Sequence, residues 1–328
     1  MSRNLDPESK WKRMSRIPIP IKDSDGQPLR WQIPTVQVET DRLWRIYISG
    51  RTLHNDIGAY FLEVEPHNGM RVVNHGTTLD AKNVPKRQYG DHGVGPSCCY
   101  QAETGPHIAV NLVRLNPPVF DASIGFWPAT DIVAQFNRDP EIENFEDNKF
   151  AVSPFILKEN GVYHMWYGRG TGWRMDAEPN PEPTYAIAHA TSKNGVDGWV
   201  RDEAFAIPPR DAEETGITRT IVQKRTDGGD GWEMWYSYRG MFDLNRPTLR
   251  DYKIGYAISS DLVTWDRRDD AHEFINPPVA GDWDSDMQCY CFVVPHEDRE
   301  IMIYCGNGYG FSGIGYAERV VKDTTLHS

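Results

Sequence analysis

The sequence has no long apolar run. No stretch of its 328 residues approaches the roughly 20 apolar residues that a membrane-spanning helix requires. Its first residues, Met-Ser-Arg-Asn-Leu-Asp, are polar and lack the apolar core of a secretory signal. We therefore expect a cytoplasmic protein that makes no contact with a membrane.

Cysteine is scarce, and positive charge does not cluster. The five cysteines lie in predicted strands without the paired Cys-x-x-Cys spacing of a structural zinc site, so we expect buried reduced thiols. The formal charge is −12 and no Lys/Arg run occurs, which argues against nucleic acid as a partner. We expect no metal and no cofactor, and the oligomeric state stays open.

Helical periodicity is also missing, and a repeated strand unit stands in its place. Residues 252–268 and 185–201 each alternate apolar and small residues, reach a Ser and an Asp or Asn turn, and then place a Trp. Shorter copies occur at 57–61, 123–127 and 313–317. Each copy follows an aromatic-rich strand that ends in a polar residue. Five copies of one unit predict an all-β fold, the five-bladed β-propeller.

We predict one domain over residues 1–328, because blades that share a ring share a core. Residues 1–27 form an N-terminal extension in this interpretation. Residues 11–20 within it are expected to add a closing strand to the last blade, because closure removes a free sheet edge. The second blade carries the weakest copy, since residues 101–122 lose the pattern.

The propeller prediction also locates a site. The first strand of a blade starts, and the second strand ends, at the same face of the ring, so these positions surround the mouth of the central channel. Four of five first-strand starts carry carboxylates. The second strands end in Arg51, Arg114, Arg169, Arg239 and Asn307. Acids at such joins can also be turn residues or caps paired with arginine, but for the whole set we favour a functional funnel.

Two carboxylates across a pocket are the minimum for glycoside hydrolysis, and arginines bind carboxylate or phosphate groups. We predict acid/base roles for Asp91, Glu214 and Asp284. The predicted substrate-binding residues are Arg51, Arg169, Arg219, Arg239, His92, Asp286, Trp173, Tyr290 and Asn307. An anionic sugar or glycoconjugate suits both sets better than a neutral glycan does.

Residues 254–265, Ile-Gly-Tyr-Ala-Ile-Ser-Ser-Asp-Leu-Val-Thr-Trp, resemble the recurring unit of the five-bladed propeller glycoside hydrolases, the arabinanase/xylosidase and invertase-like superfamily. Segments 91–97, 283–290 and 306–315 are similar to a bacterial branch found with sugar-biosynthesis proteins. The resemblance implies glycosidase-like chemistry, with Glu214 matching the family's acid by blade order.

One departure from this family concerns the catalytic pair. Those hydrolases place a catalytic Asp at the start of the first blade, where this chain has Trp31-Gln32. Residues 137–140, Asn-Arg-Asp-Pro, resemble the Arg-Asp-Pro motif of the invertase group but fall between blades two and three. The missing first-blade Asp argues against hydrolysis by the usual pair.

Three functions stay open at this point. The first is a glycosidase-like enzyme that acts on a small anionic sugar. The second is a non-hydrolytic enzyme that transfers, eliminates or rearranges groups of a natural-product or nucleotide-sugar intermediate. The third is a catalytically silent sugar-binding propeller. Two carboxylates within about 5–10 Å of each other in the funnel would favour hydrolysis, and a lone one would favour binding.

Overall fold

The computed structural model describes residues 10–83, 92–116, 119–129, 141–143, 150–174, 181–226, 229–241 and 245–321. Asp91 and the Asn-Arg-Asp-Pro segment 137–140 lie outside these residues, as does the side chain of Arg114. Nearly all of the regular structure is β-strand, so the predicted all-β class is confirmed.

Antiparallel pairing links the described strands in five successive groups of four, and single parallel bridges, Ile57 with Gly93 and Tyr185 with Gly216, join the first group to the second and the third to the fourth. The first group is β2 (Arg30–Thr40), β3 (Leu43–Arg51), β4 (Ile57–Glu65) and β5 (Arg71–Leu79). The second group is β6 (Gly93–Ala102), β7 (Gly105–Asn116), β8 (Val119–Pro128) and β9 (Glu141–Glu143). The third group is β10 (Ala151–Glu159), β11 (Val162–Arg174), β12 (Glu182–Ser192) and β13 (Val200–Ile207).

The last two groups complete the chain. The fourth is β14 (Glu214–Lys224), β15 (Trp232–Gly240), β16 (Lys253–Ser259) and β17 (Asp266–Arg267). The fifth is β18 (Cys289–His296), β19 (Arg299–Cys305), β20 (Ile314–Val320) and, from the N-terminal region, β1 (Lys12–Ile17). Strand β1 pairs antiparallel with β20, from Lys12 opposite Glu318 to Ile17 opposite Ile314. The two ends of the described chain therefore meet in one sheet.

Among the described residues, helical structure is limited to short connections. The 3-10 turns described span Pro66–Asn68, Ala81–Asn83, Pro247–Arg250 and Asp269–Ala271, and a helical turn spans Asn307–Gly310. This last turn joins β19 to β20 and, together with Gly306 before it, forms the Gly-x-Gly-x-Gly run of 306–310. Gly310 has φ +85°, and an added Cβ would collide with the carbonyl oxygen of Trp31. Among the described residues, no helix is long and apolar enough to span a bilayer.

The first strand of every group carries a break in its pairing register. The breaks lie at Gln32/Thr35, Pro96/Cys98, Val152/Phe155, Thr218/Ile221 and Cys289/Phe292. Four non-glycine residues within these breaks have positive φ: Ile33 (54°), Ser153 (54°), Arg219 (57°) and Tyr290 (53°). Such bulges re-aim side chains and bend the strand. The alternation of buried and exposed side chains therefore changes phase partway along these five strands.

The second strands supply the bulk of the core. Trp44 of β3, Trp166 of β11 and Trp235 of β15 are each at most 1% exposed. Their large apolar surfaces pack between neighbouring sheets, where aromatic side chains contribute more buried area than any other type. The aromatic-rich strands of the sequence repeat are thus the strands that hold the groups together.

Candidate functional site

A cavity of about 410 Å³ lies where the first strands of all five groups approach one another. A volume of this size lies within the range of small-molecule sites. The residues that give it chemical character are Arg30, Arg51, Arg239, Arg250, Tyr185, Tyr252, Tyr290, Tyr309, Gln32, Ser49, Asn55, Asn111, Ser153 and Thr218. No carboxylate is among the described residues that line it.

Arg30 and Arg51 form one side of the cavity. They are direct partners across the β2–β3 ladder, so their side chains stand on the same face of the sheet. Burial lowers the pKa of Arg51, and the positive charge of Arg30 adds to that shift. Among the described residues, neither guanidinium has a carboxylate partner within ion-pair distance. This side of the cavity is strongly positive.

Arg239 and Arg250 form a second positive region with a different environment. The Nη1 atom of Arg239 lies 3.0 Å from Oε2 of Glu182, and Nε of Arg250 lies 2.7 Å from Oε1. Glu182 is buried at 2% exposure behind the two arginines. Arg239 also donates a hydrogen bond from Nε to the hydroxyl of Tyr185 at 3.3 Å. One carboxylate therefore compensates half of the charge of this pair.

Tyrosines connect the two positive regions. The ring of Tyr290, which lies beside Arg51, is 5.2 Å from the ring of Tyr252, and Arg239 lies 5.5 Å over Tyr252. The hydroxyl groups of Tyr185 and Tyr252 hydrogen-bond each other. Burial raises the pKa of Tyr252 and raises that of Tyr309 to about 12. The side chains of Tyr252 and Tyr309 are therefore neutral at pH 7 and offer their rings and hydroxyls to a ligand.

Small polar side chains form another part of the lining. The hydroxyls of Ser49 and Thr218 are buried and have no hydrogen-bond partner among the described residues. Glycines make room for both hydroxyls, because a Cβ at Gly95 would lie 2.7 Å from Ser49 Oγ and one at Gly168 would lie 2.8 Å from Thr218 Oγ1. Buried hydroxyls normally have partners, so these two are available to a bound polar ligand.

No protein-family model matches the chain. Two proteins from Mycobacterium tuberculosis, from strains CDC 1551 and H37Rv, are each 28% identical over 321 residues, which cover 94% of this chain and 98% of theirs. Both are described as uncharacterised, so they extend the sequence group without assigning an activity.

Solved structures give a clearer answer about the fold. A glycoside hydrolase superposes with a TM-score of 0.65 at 14% identity over 98% of this chain and 95% of its own. A GH130 protein, from a family of mannoside phosphorylases that contains hydrolases of β-1,2-mannosidic linkages in Candida mannan, gives 0.61 at 14% over 97% and 95%. The catalytic domain of Coprinopsis cinerea GH62 α-L-arabinofuranosidase gives 0.59 at 11% over 97% and 98%. The fold is that of the propeller glycoside hydrolases.

With this fold in view, the placement of the predicted acids matters. Glu214 is buried and does not line the cavity. Its carboxylate is bound by two arginines. Its carboxylate lies 2.7 and 3.0 Å from the guanidinium of Arg267, and it accepts hydrogen bonds from the backbone and side chain of Arg210 at 2.8 and 3.1 Å. The carboxylate of Glu214 is therefore engaged in an internal ion pair, and its acid/base role at the channel mouth stays a prediction.

Asp284 is likewise placed away from the cavity lining. It is fully buried, accepts hydrogen bonds from Arg13 at 2.9 and 2.5 Å, and accepts another from the hydroxyl of Tyr304 at 2.7 Å. Because Arg13 belongs to β1, this carboxylate joins the N-terminal strand to the fifth group. The structure places Asp284 in an internal ion pair, and its catalytic role stays a prediction.

The neighbours of Asp284 also lie outside the lining. Asp286 is exposed and accepts a hydrogen bond from Ser285 Oγ at 2.9 Å. Asn307 accepts hydrogen bonds at Oδ1 from the backbone of Asp286 and Met287 at 2.9 and 3.0 Å. These contacts shape the turn before β18, and the substrate-binding role of both residues stays a prediction.

Arg51, Arg239 and Tyr290 are the predicted binding residues that the structure brings to the cavity. Arg219 instead points into the interior, where it donates hydrogen bonds of 2.6 Å to the carbonyl oxygens of Ser97 and Pro34. Arg219 lies in the bulge of β14 and has a positive φ, which directs its side chain away from that of the neighbouring Thr218. Burial lowers the pKa of Arg219 to about 10.

The remaining predicted binding residues stand apart from the cavity. Arg169 lies 5.5 Å over the ring of Phe205, Trp173 packs edge-on against Phe150 at 6.2 Å, and His92 Nδ1 lies 3.5 Å from Asp56. Sequence reasoning missed Arg30, Arg250, Glu182, Tyr185, Tyr252 and Ser49. A register assignment that paired Arg30 with Arg51 would have found the first of these. Among the described residues, no group of three His, Cys, Asp or Glu side chains forms a metal site.

Proposed function

We propose that the five groups of strands are the blades of one propeller ring and that residues 1–328 form a single domain. The succession of four-stranded antiparallel groups supports this proposal, as does the completion of the last group by β1. The five free cysteines, four of them buried, support a cytoplasmic location, where thiols stay reduced.

We further propose that the cavity binds a small anionic sugar or glycoconjugate. The observation that carries this proposal is the lining itself, which contains four arginines, four tyrosines and no described carboxylate. Arginine binds carboxylate and phosphate groups through several parallel hydrogen bonds, and tyrosine rings and hydroxyls suit a sugar. The fold of the propeller glycoside hydrolases supports a carbohydrate ligand.

The chemistry of the proposed enzyme depends on Asp91. His92, which follows Asp91 in the chain, accepts a hydrogen bond at its carbonyl oxygen from the backbone N–H of Ile57 at 2.8 Å, and Ile57 lines the cavity. Asp91 is our candidate for the general acid, which would protonate the leaving oxygen while water attacks the anomeric carbon. Glu182 is the only described carboxylate in contact with the cavity arginines, and two guanidiniums already occupy it.

A non-hydrolytic reaction or silent binding is therefore the second candidate. Hydrolysis by an inverting or retaining mechanism uses two carboxylates across the pocket, whereas no such pair lines the described part of this cavity. Transfer, elimination, rearrangement or simple binding of the anionic sugar needs no such pair. The arginines would bind the anionic sugar equally in each of these cases, so a measurement of turnover is needed to discriminate among them.

The test combines binding and turnover. Titration calorimetry with glucose, glucuronate and glucose 6-phosphate should show that the anionic sugars bind at least tenfold more tightly than glucose. Asp91→Asn should keep this affinity and lower turnover of any glycoside that the wild type cleaves by roughly 100-fold or more, because an amide donates no transferable proton. Equal affinity for all three sugars would contradict the binding proposal. Full turnover by Asp91→Asn would remove Asp91 from the mechanism.

A further inference from the structure

Two arginines stand directly opposite each other in the cavity wall. Arg30 and Arg51 are ladder partners of β2 and β3, and both line the cavity. Like charges directly opposite on paired strands destabilise a sheet. Both arginines are half-buried, so water screens their charges less than it would at the surface. Such a pair costs stability unless something negative lies between the side chains.

Several other arginines of the described chain that are at least half-buried have carboxylate partners, whereas the fully buried Arg219 is bound by carbonyl oxygens. Arg239 contacts Glu182, Arg267 contacts Glu214, Arg13 contacts Asp284, and Arg319 contacts Glu233 and Glu300. Arg30 and Arg51 have none within the described residues, and the Nε atom of Arg51 is buried without a hydrogen-bond partner there. Within the described residues, the chain thus compensates several guanidiniums internally and gives this pair no counter-charge.

We propose that Arg30 and Arg51 form a subsite for a phosphoryl dianion. This inference rests on the proposed function, since it specifies which anionic group the cavity accepts and where. Two uncompensated positive charges match a phosphate group of charge near −2, whereas a carboxylate would leave one guanidinium unneutralised. Each guanidinium offers several donors to the phosphate oxygens.

The rest of the lining orients the ligand from this subsite. Tyr290 lies beside Arg51 and contacts Tyr252, so an aromatic surface leads from the phosphoryl subsite toward Arg239. The unpartnered hydroxyls of Ser49 and Thr218 are suited to the hydroxyl groups of a sugar. Arg239 and Arg250, whose charge Glu182 half compensates, then present a weaker positive region to the rest of the ligand than Arg30 and Arg51 do.

The experiment measures affinity with defined probes. Inorganic phosphate, glucose 6-phosphate and glucuronate are titrated into the wild type and into Arg30→Gln, Arg51→Gln, Arg239→Gln and Arg169→Gln. Loss of one charged hydrogen-bonding partner weakens binding by about tenfold or more. We expect Arg30→Gln and Arg51→Gln each to lower the affinity for both phosphoryl probes by at least that factor. Arg169→Gln, which lies outside the lining, should leave it within twofold of the wild type.

The outcomes separate this inference from the proposed function. If the wild type binds glucuronate and loses it in Arg239→Gln while Arg51→Gln is unaffected, the subsite is wrong and the anionic-sugar proposal stands. If the wild type binds none of the three probes, both proposals fail. Tighter binding of glucose 6-phosphate than of inorganic phosphate supports a phosphate ester as the ligand, and equal affinity supports free phosphate. Thermal midpoints of the variants well above the assay temperature show that any loss is not unfolding.

Discussion

The ion pair around Glu214 and the cavity pair Arg30–Arg51 show two uses of the same residue types. At Glu214, Arg267 and Arg210 converge on one carboxylate, and Asp269 lies 2.8 Å from Arg267. Positive and negative groups are balanced there. At Arg30 and Arg51, two guanidiniums meet without a described carboxylate.

The difference lies in compensation and not in composition. A buried charge that has its partner within the chain contributes to the folded state, and losing the partner exposes the cost of burying it. A buried charge without such a partner reduces stability and is available to a ligand. Four predictions test this distinction, ordered by the size of the expected effect on folding.

Asp284→Ala should lower the free energy of unfolding by about 3–5 kcal/mol, because it leaves the guanidinium of Arg13 buried without its main partner. Urea denaturation measures this change. Asp282→Ala is the matched control, since that carboxylate contacts the same arginine at 3.1 Å but its side chain is 35% exposed, and its effect should be much smaller. A stable Asp284→Ala variant that lost turnover would return Asp284 to the list of catalytic candidates.

His272 is half-buried, and both of its ring nitrogens are buried without a hydrogen-bond partner among the described residues. Burial, with help from Arg319, lowers the pKa of His272 from 6.5 to about 4. Between these two values the unfolded chain binds a proton that the folded chain does not, so stability should fall as the pH decreases, by on the order of 3 kcal/mol.

The variant His272→Phe should remove most of that pH dependence, and His75→Asn, at an exposed position, should keep it. Thermal or urea unfolding of the three proteins from pH 7 to pH 4 measures the difference. Identical pH profiles for the wild type and His272→Phe would show that His272 does not contribute.

Glu214→Gln should destabilise the fold by about 2 kcal/mol, because the amide keeps the shape but loses the charged hydrogen bonds to Arg267. Affinity for glucose 6-phosphate should stay within twofold, since Glu214 does not line the cavity. Glu213→Gln is the control, because the side chain of Glu213 is 62% exposed. A variant with normal stability and lost ligand affinity would argue that Glu214 belongs to the site.

Arg51→Gln should have the smallest effect on folding and the opposite sign. Removing one of two opposed positive charges should raise the free energy of unfolding by a few tenths to about 1 kcal/mol in phosphate-free buffer. Adding phosphate should stabilise the wild type more than the variant, because a ligand that binds only the folded state raises its stability. A clear loss of stability in Arg51→Gln would reveal an internal partner for this guanidinium.

The fold was largely predictable because the strand unit repeats. The unit around residues 254–265 alternates apolar and small residues strictly, and its copies lie in β4, β8, β12, β16 and β20. This alternation with a period of two residues indicates strands that pair in sheets. The all-β class therefore followed from local patterns alone.

The site was only partly predictable, because bulges and ion pairs depend on tertiary structure. The rule that second strands end at one face placed Arg51 and Arg239 beside the cavity. It could not foresee that the bulge at Arg219 turns that side chain inward. Nor could it foresee that Arg267, in the last strand of the fourth group, binds Glu214 in the first strand of that group. Arg30 was missed because its significance comes only from its partner across the ladder.

The pairing of β1 with β20 has a consequence for how the protein is made. The fifth sheet gains its fourth strand only when β1 can pair with β20, which places Lys12 opposite the distant Glu318. Contacts between such distant residues form late, because a long loop must close first. Trp11 also contacts Trp235 of the fourth group and pairs with Phe274, so part of the N-terminal segment can pack before β20 is made. The pairing of β1 with β20 is therefore among the last steps in completing the fifth sheet.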